Sequence, residues 1–159
     1  MQKINLIFFL FLFLSPLVNS KVMENPFFKE YETNFKIPPF SQIKEEHFMP
    51  AFVKGMEEHN AEIDSIIKNT NEPSFDNVIA AMERSGSLLS RVSAVFFNLS
   101  GSTTNPEIQA IEKEISPKLS GHYDLISLNP EIFKKVRVLW ERIDAVSYTH
   151  LTLPTTLQV

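Results

Sequence analysis

Four histidines, His47, His59, His122 and His150, carry most of the chemistry this chain could offer. Two of them follow paired acids, in Glu45-Glu46-His47 and Glu57-Glu58-His59. A helical zinc-protease site needs His-Glu-x-x-His, which sets two imidazoles on one helix face with a carboxylate base beside them. The residues after the four histidines are Phe48, Asn60, Tyr123 and Leu151, so none opens that motif. Twelve residues at about 100° each set His47 and His59 roughly 120° apart around a straight helix, too far to share one ion. His59 and Glu62 do share a face, but two donors do not make a zinc site. His47 and His59 are therefore expected to be structural or solvated, and His122 partly buried. His150 is given no role. No catalytic, cofactor-binding or metal-ligating residue is assigned. The chain has no cysteine, which excludes disulfides, thiolate catalysis and cysteine-bound zinc.

The remaining polar and aromatic groups read as structural. Arg84 and Arg91, seven apart, are expected to pair with acids on neighbouring helices. Glu112-Lys113-Glu114 reads as a solvated helix face. Val95-Phe96-Phe97, with Phe75 and Trp140, is expected in the core. Asn98-Leu99-Ser100 matches a glycosylation sequon but falls within a predicted helix. A net charge of −4 without a basic cluster gives nucleic-acid binding little support.

These groups must be positioned by helices. The chain has 159 residues, about one domain, and is 43% hydrophobic and 21% charged, as a folded protein should be. Lys3, the apolar run Leu6–Leu14, Ser15-Pro16 and Val18-Asn19-Ser20 form the three parts of a signal peptide over residues 1–20. The run is shorter than the ~20 residues of a spanning helix, so export with cleavage and no lasting membrane anchor is expected. Residues 21–40 read as an extended arm with aromatic anchors, because Ile37 and Pro38 each precede a proline.

Apolar residues at spacings of three and four predict a first helix over Lys44–Asn69, ended by Asn69–Pro73. A second starts at the N-cap Ser74, passes through Gly86 and stops near Gly101. Gly86 costs about 1 kcal/mol relative to Ala in a helix, and its missing side chain leaves room for close approach by a neighbour. Third and fourth helices open with Asn105-Pro106-Glu107 and Asn129-Pro130-Glu131: cap, proline at the first helical position, then acid. Pro117 should kink the third. Short connections predict antiparallel neighbours. Ala145–Val159 has no charged side chain and fits none of these periods, so 145–159 is read as a non-native tail.

Several segments now taken together resemble the thimet oligopeptidase family of zinc metallopeptidases, most nearly its bacterial peptidyl-dipeptidase and oligopeptidase A branch. They are Ile37-Pro38-Pro39-Phe40, Ile43 to Phe52, Pro73 to Ile79, Glu83-Arg84-Ser85-Gly86, Val92 to Ser100, Gln109 to Ile115 and Leu128 to Phe133. Their order and spacing carry the likeness, over roughly Asn25 to Asp144. The resemblance implies an all-α fold of antiparallel helices, residues 41–144 forming the N-terminal part of a much longer peptidase. In that family two lobes enclose a channel that admits short peptides. The zinc is held by two histidines of His-Glu-x-x-His and a later glutamate, and the metal lowers the pKa of its bound water. None of those residues can be carried onto this chain. The expectation is an N-terminal fragment of an exported peptidase, forming channel wall, binding no zinc and inactive alone. Zinc and short peptides would belong to the complete enzyme. A self-standing helical peptide-binding protein is the alternative.

Overall fold

The computed structural model describes residues 24–146. The predicted signal peptide and the tail beyond residue 146 lie outside the described residues. Within them the chain is helical and no strand occurs. The main helices are α1 (Phe48–Lys68), α2 (Ala80–Arg84), α3 (Ser87–Ser102), α4 (Pro106–Ser127) and α5 (Pro130–Val146). The last runs two residues into the segment read as a tail.

The helix starts follow the local chemistry of their caps. Ser74 Oγ accepts from the Asn77 amide at 3.2 Å, and Asn77 Oδ1 accepts from the Ser74 amide at 2.8 Å. Such a reciprocal box satisfies two amide donors that no helical carbonyl can reach. Asn105 Oδ1 accepts from Ile108 N at 2.8 Å, and Asn129 Oδ1 from Glu131 N at 2.9 Å. Pro106 and Pro130 then occupy first helical positions, where no amide is needed. Pro117 lies inside α4, which continues through it to Ser127.

The predicted second helix is broken. Phe75–Ile79 form a π-type turn, α2 is a short piece, and Gly86 is left-handed at φ 68°. A Cβ built on Gly86 would lie 2.9 Å from His59 Nδ1. Gly86 therefore meets two demands at once, a backbone conformation that suits glycine and room for an imidazole.

The core lies where α1 and α3 cross. Phe48 and Phe52 of α1 meet Phe96 of α3 edge-on at 5.0 and 5.3 Å between ring centroids. Gly55 lets the two backbones close, its ideal Cβ position being only 3.0 Å from Leu89 Cα. Leu88, Leu89, Val92 and Val95 complete the α3 face, and Ile108, Ile115 and Leu119 cover it from α4. Full burial of one such side chain contributes roughly 1.5–3 kcal/mol. A smaller cluster joins Ile63 and Ile66 of α1 to Ile132 of α5.

Several expectations are corrected here. Phe75, Trp140 and Phe97 are exposed, leaving only Val95 and Phe96 of that set in the core. The α3 stripe finds cover on α1, α4 and the arm, while uncovered apolar side chains instead sit on α4 and α5. Contacts at Phe52–Phe96, Gly55–Leu89 and His59–Gly86 make α1 and α3 antiparallel. Contacts from Glu45 to Asn105 and from His59 to His122 make α4 parallel to α1. Helix α5 does not fold back along α4. Its Ile132 reaches the far end of α1, and Lys135 Nζ donates to Asn69 O at 2.7 Å. Ile126 near the end of α4 and Val136 of α5 pack on the same Ile63–Ile66 cluster, so the two-residue link joins two helices that meet there.

The arm is not uniformly extended, having 3₁₀ turns at Pro26–Phe28 and Asn34–Lys36. Ile37 is extended, at φ −65° and ψ 136°. Of the arm's phenylalanines only Phe27 is buried, packing on Phe48 with centroids 5.4 Å apart. Arg91 secures it by donating to Phe27 O at 2.7 Å and lying over the Tyr31 ring at 5.2 Å. Arg84 pairs within its own segment, its guanidinium 3.8 Å from Asp76 Oδ1. Neither arginine makes the expected ion pair to a neighbouring helix.

Candidate functional site

Two histidines that the sequence keeps 63 residues apart meet where α1 and α4 pass beside the α2–α3 junction. His59 Nδ1 and His122 Nε2 are 3.0 Å apart, a direct hydrogen bond between rings. Both residues are buried, with 8% and 6% of their surface exposed, so the contact is shielded from bulk water. The Tyr123 ring stands edge-on to both, at 6.3 Å from His59 and 5.4 Å from His122.

Glu62, one turn beyond His59 on α1, fixes the third wall. Its Oε2 accepts the Gly86 amide at 2.6 Å, which caps the start of α3 with a negative charge. His59 thus stacks against Gly86 while Glu62 holds the same residue from the side. The face shared by His59 and Glu62 is used to seat a left-handed glycine.

Burial disfavours imidazolium, and this lowers the pKa of both rings. For His59, desolvation is opposed by the Glu62 carboxylate. For His122, desolvation is reinforced by the neighbouring His59. The pair is therefore neutral near pH 7, one ring donating and the other accepting.

His47 has a separate structural role. It is buried, and its Nδ1 accepts the Lys44 amide at 3.0 Å. Its carbonyl accepts from Asn25 Nδ2 at 2.8 Å, and Asn25 Oδ1 caps the turn at Phe27. Asn105 also donates to Glu45 Oε1 at 2.8 Å. The Glu45 backbone amide, and after it this bond from Asn105, holds the Glu45 carboxyl below its ordinary pKa.

His122 also borders an open groove of about 890 Å³ between α1, α4 and the start of α5. Val53 and Met56 line one side, Leu125 and Leu128 the other. Leu125 is 76% exposed and Leu128 80%, more than an isolated surface leucine accounts for when both face one groove.

These residues do not fit a zinc centre. Such a site takes at least three protein ligands at about 2 Å from the metal. Among the described residues no group of three His, Cys, Asp or Glu side chains stands close enough to hold an ion. His59 Nδ1 and His122 Nε2 already satisfy one another, and Glu62 is engaged by Gly86. Burial at His122 was expected from the sequence; its pairing with His59 was not, and only the glycine opposite hinted at a crowded crossing.

The described residues form an all-helical segment in which the buried histidine pair joins α1 to α4. No protein-family model matches the chain. It is 38% identical over 122 residues to the dipeptidyl carboxypeptidase of Escherichia coli K12, a match covering 77% of this chain and 18% of that protein. Against the dipeptidyl carboxypeptidase of Salmonella typhimurium LT2 it is 35% identical over 74% of this chain and 17% of the relative. Oligopeptidase A of the same Salmonella strain is 25% identical over 67% of this chain and 16% of its own length. The chain is homologous to these peptidases, and the resemblance carried by its motifs stands. It spans less than a fifth of the length of the relatives it matches.

Proposed function

We propose that the described helices are the N-terminal part of an exported zinc metallopeptidase that hydrolyses short peptides. The observation that carries this reading is the homology to dipeptidyl carboxypeptidases along most of this chain but a small part of theirs. In this reading residues 41–144 supply channel wall, and the zinc ligands and catalytic base lie on other parts of the polypeptide. Two physical features support a scaffold role. The buried histidines are engaged in packing and hydrogen bonds, and exposed apolar side chains occur on α4, its C-cap and α5, among them Leu125, Leu128, Phe133 and Trp140. Apolar surface of that kind is what a further part of the same protein would cover. The apolar run at residues 6–14 and the break that follows support export.

The test is peptide hydrolysis by two purified proteins, the 159-residue chain and the product of the uninterrupted gene. The longer protein should carry an in-frame His-Glu-x-x-His and cleave short peptides in a chelator-sensitive way. The 159-residue chain should be inactive with or without added zinc. Chelator-sensitive cleavage by the short chain, or a complete gene lacking that motif, refutes the proposal. Cell fractionation checks export, and an intact precursor in the cytoplasm would contradict it.

A further inference from the structure

We propose that the His59–His122 contact is an acid-opened latch between α1 and α4, whose release frees the C-terminal turns of α4 from α1. This inference stands on the geometry of the pair and does not depend on the peptidase reading.

Two neutral imidazoles 3.0 Å apart share one proton between their facing nitrogens. A first added proton can be taken on a ring nitrogen pointing away, which leaves the shared bond in place but buries a charge. A second makes both facing nitrogens donors, and two N–H groups cannot approach that closely. Acid therefore removes the bond and sets two positive rings against one another.

The surroundings determine which way the structure yields. On α1, Glu62 is the opposing charge nearest His59, but it is tied to the Gly86 amide. Glu57 of α1 and Lys118 and Asp124 of α4 line the groove that His122 borders. The Tyr123 ring lies steeply inclined to both imidazoles and brings no formal charge. The α2–α3 junction offers the Gly86 amide, and the start of α5 with its preceding link offers the uncharged Pro130 and Asn129 to that groove. Helix α1 is clamped to α3 at Gly55–Leu89 and through the Phe52–Phe96 contact. Helix α4 near His122 is flanked by the exposed Gly121, Tyr123, Asp124 and Leu125. The separation should therefore occur on the α4 side, through its C-terminal turns.

The sign follows from linkage. Both histidines have lower pKa values in the folded chain than in the unfolded one. The unfolded state then binds more protons, so stability is fully present above the ordinary histidine pKa of about 6.5 and falls as pH drops below it toward the lowered folded values. Each such proton raises the unfolding constant up to about tenfold per pH unit, so the pair can raise it up to about 100-fold.

The experiment uses the full 159-residue chain. Histidine ring NMR, urea unfolding and amide hydrogen-exchange protection factors are followed from about pH 8 to about pH 5. Two imidazoles should titrate below the ordinary value with mutually displaced curves. Protection should fall first at the C-terminal end of α4 while α3 stays protected. His122→Gln, which keeps a polar group but cannot titrate, should reduce the pH slope of unfolding by about one proton. If that variant does not fold, the NMR and exchange results on the unaltered chain decide alone. His59 and His122 both titrating at the ordinary value overturn the latch. So does a pH slope unchanged in a folded His122→Gln, or protection lost at the same pH throughout the helices.

Discussion

Replacing Gly86 with alanine tests the crossing at its tightest point. Gly86 has φ 68°, and the added methyl would meet three atoms of the His59 ring at 2.9, 3.0 and 3.1 Å. Left-handed backbone costs a residue with a Cβ about 1–2 kcal/mol. Overfilling a packed site adds about 1–3 kcal/mol. The alanine also restricts the unfolded chain, which offsets roughly 0.4–1 kcal/mol. The net loss should be about 1–4.5 kcal/mol, a sizeable part of the ~5–15 kcal/mol that holds a domain folded. Urea unfolding at pH 7.5 or above, where His59 and His122 are neutral, isolates this from their titration. Gly121→Ala is the control: it lies in α4 with nothing within 4 Å of an added Cβ. It should stabilise by about 0.5–1 kcal/mol, because alanine favours the helix. In a His59→Ala background the Gly86→Ala loss should shrink toward the backbone cost alone. If Gly86→Ala costs no more than Gly121→Ala, or costs the same with and without the His59 ring, the proposed crossing is wrong.

Gly55→Ala should also destabilise, by about 1–3 kcal/mol in urea unfolding, because its Cβ would press on the Leu89 backbone, which cannot rotate away. A neutral result would mean that α1 and α3 are further apart. Asn25→Ala removes the donor to His47 O and the acceptor for Phe27 N, so about 1–3 kcal/mol should be lost and protease cleavage near the arm should quicken. Unaltered cleavage would show that the arm is held by Phe27 and Arg91 alone. Leu128→Lys should change the stability of the 159-residue chain by less than about 0.5 kcal/mol, since Leu128 is 80% exposed. In the product of the uninterrupted gene the same change should destabilise markedly if a further part of the protein covers this face; equal effects in both would refute that cover.

Helix beginnings were legible because a cap is a conversation among residues three or four apart. Ser74, Asn105 and Asn129 each announce a start, and each side chain accepts the amide its position demands. Phe48, Phe52, Leu89, Val92, Ile108 and Ile115 fall on the period of three and four within their helices, and all are buried. Motif order was enough to reach the peptidase resemblance. Periodicity went too far at Gly86, however. The apolar stripe continues across it with little change, so pattern alone predicts one helix where a left-handed residue divides two. It also went too far for Phe75, Phe97 and Trp140, whose apolar character says nothing about whether a neighbour is present to cover them.

The amino-acid order by itself determined the all-helical class, the capped starts and the kinship, because each depends on residues close in the chain or on motifs in series. Only the tertiary structure decided that α4 runs parallel to α1, that α5 continues outward, and that His59 faces His122 beneath a glycine. Those outcomes depend on which apolar faces remain open once α1 and α3 have closed on each other. A contact between residues 63 apart leaves no local trace, since its energy exists only when both helices are already in place.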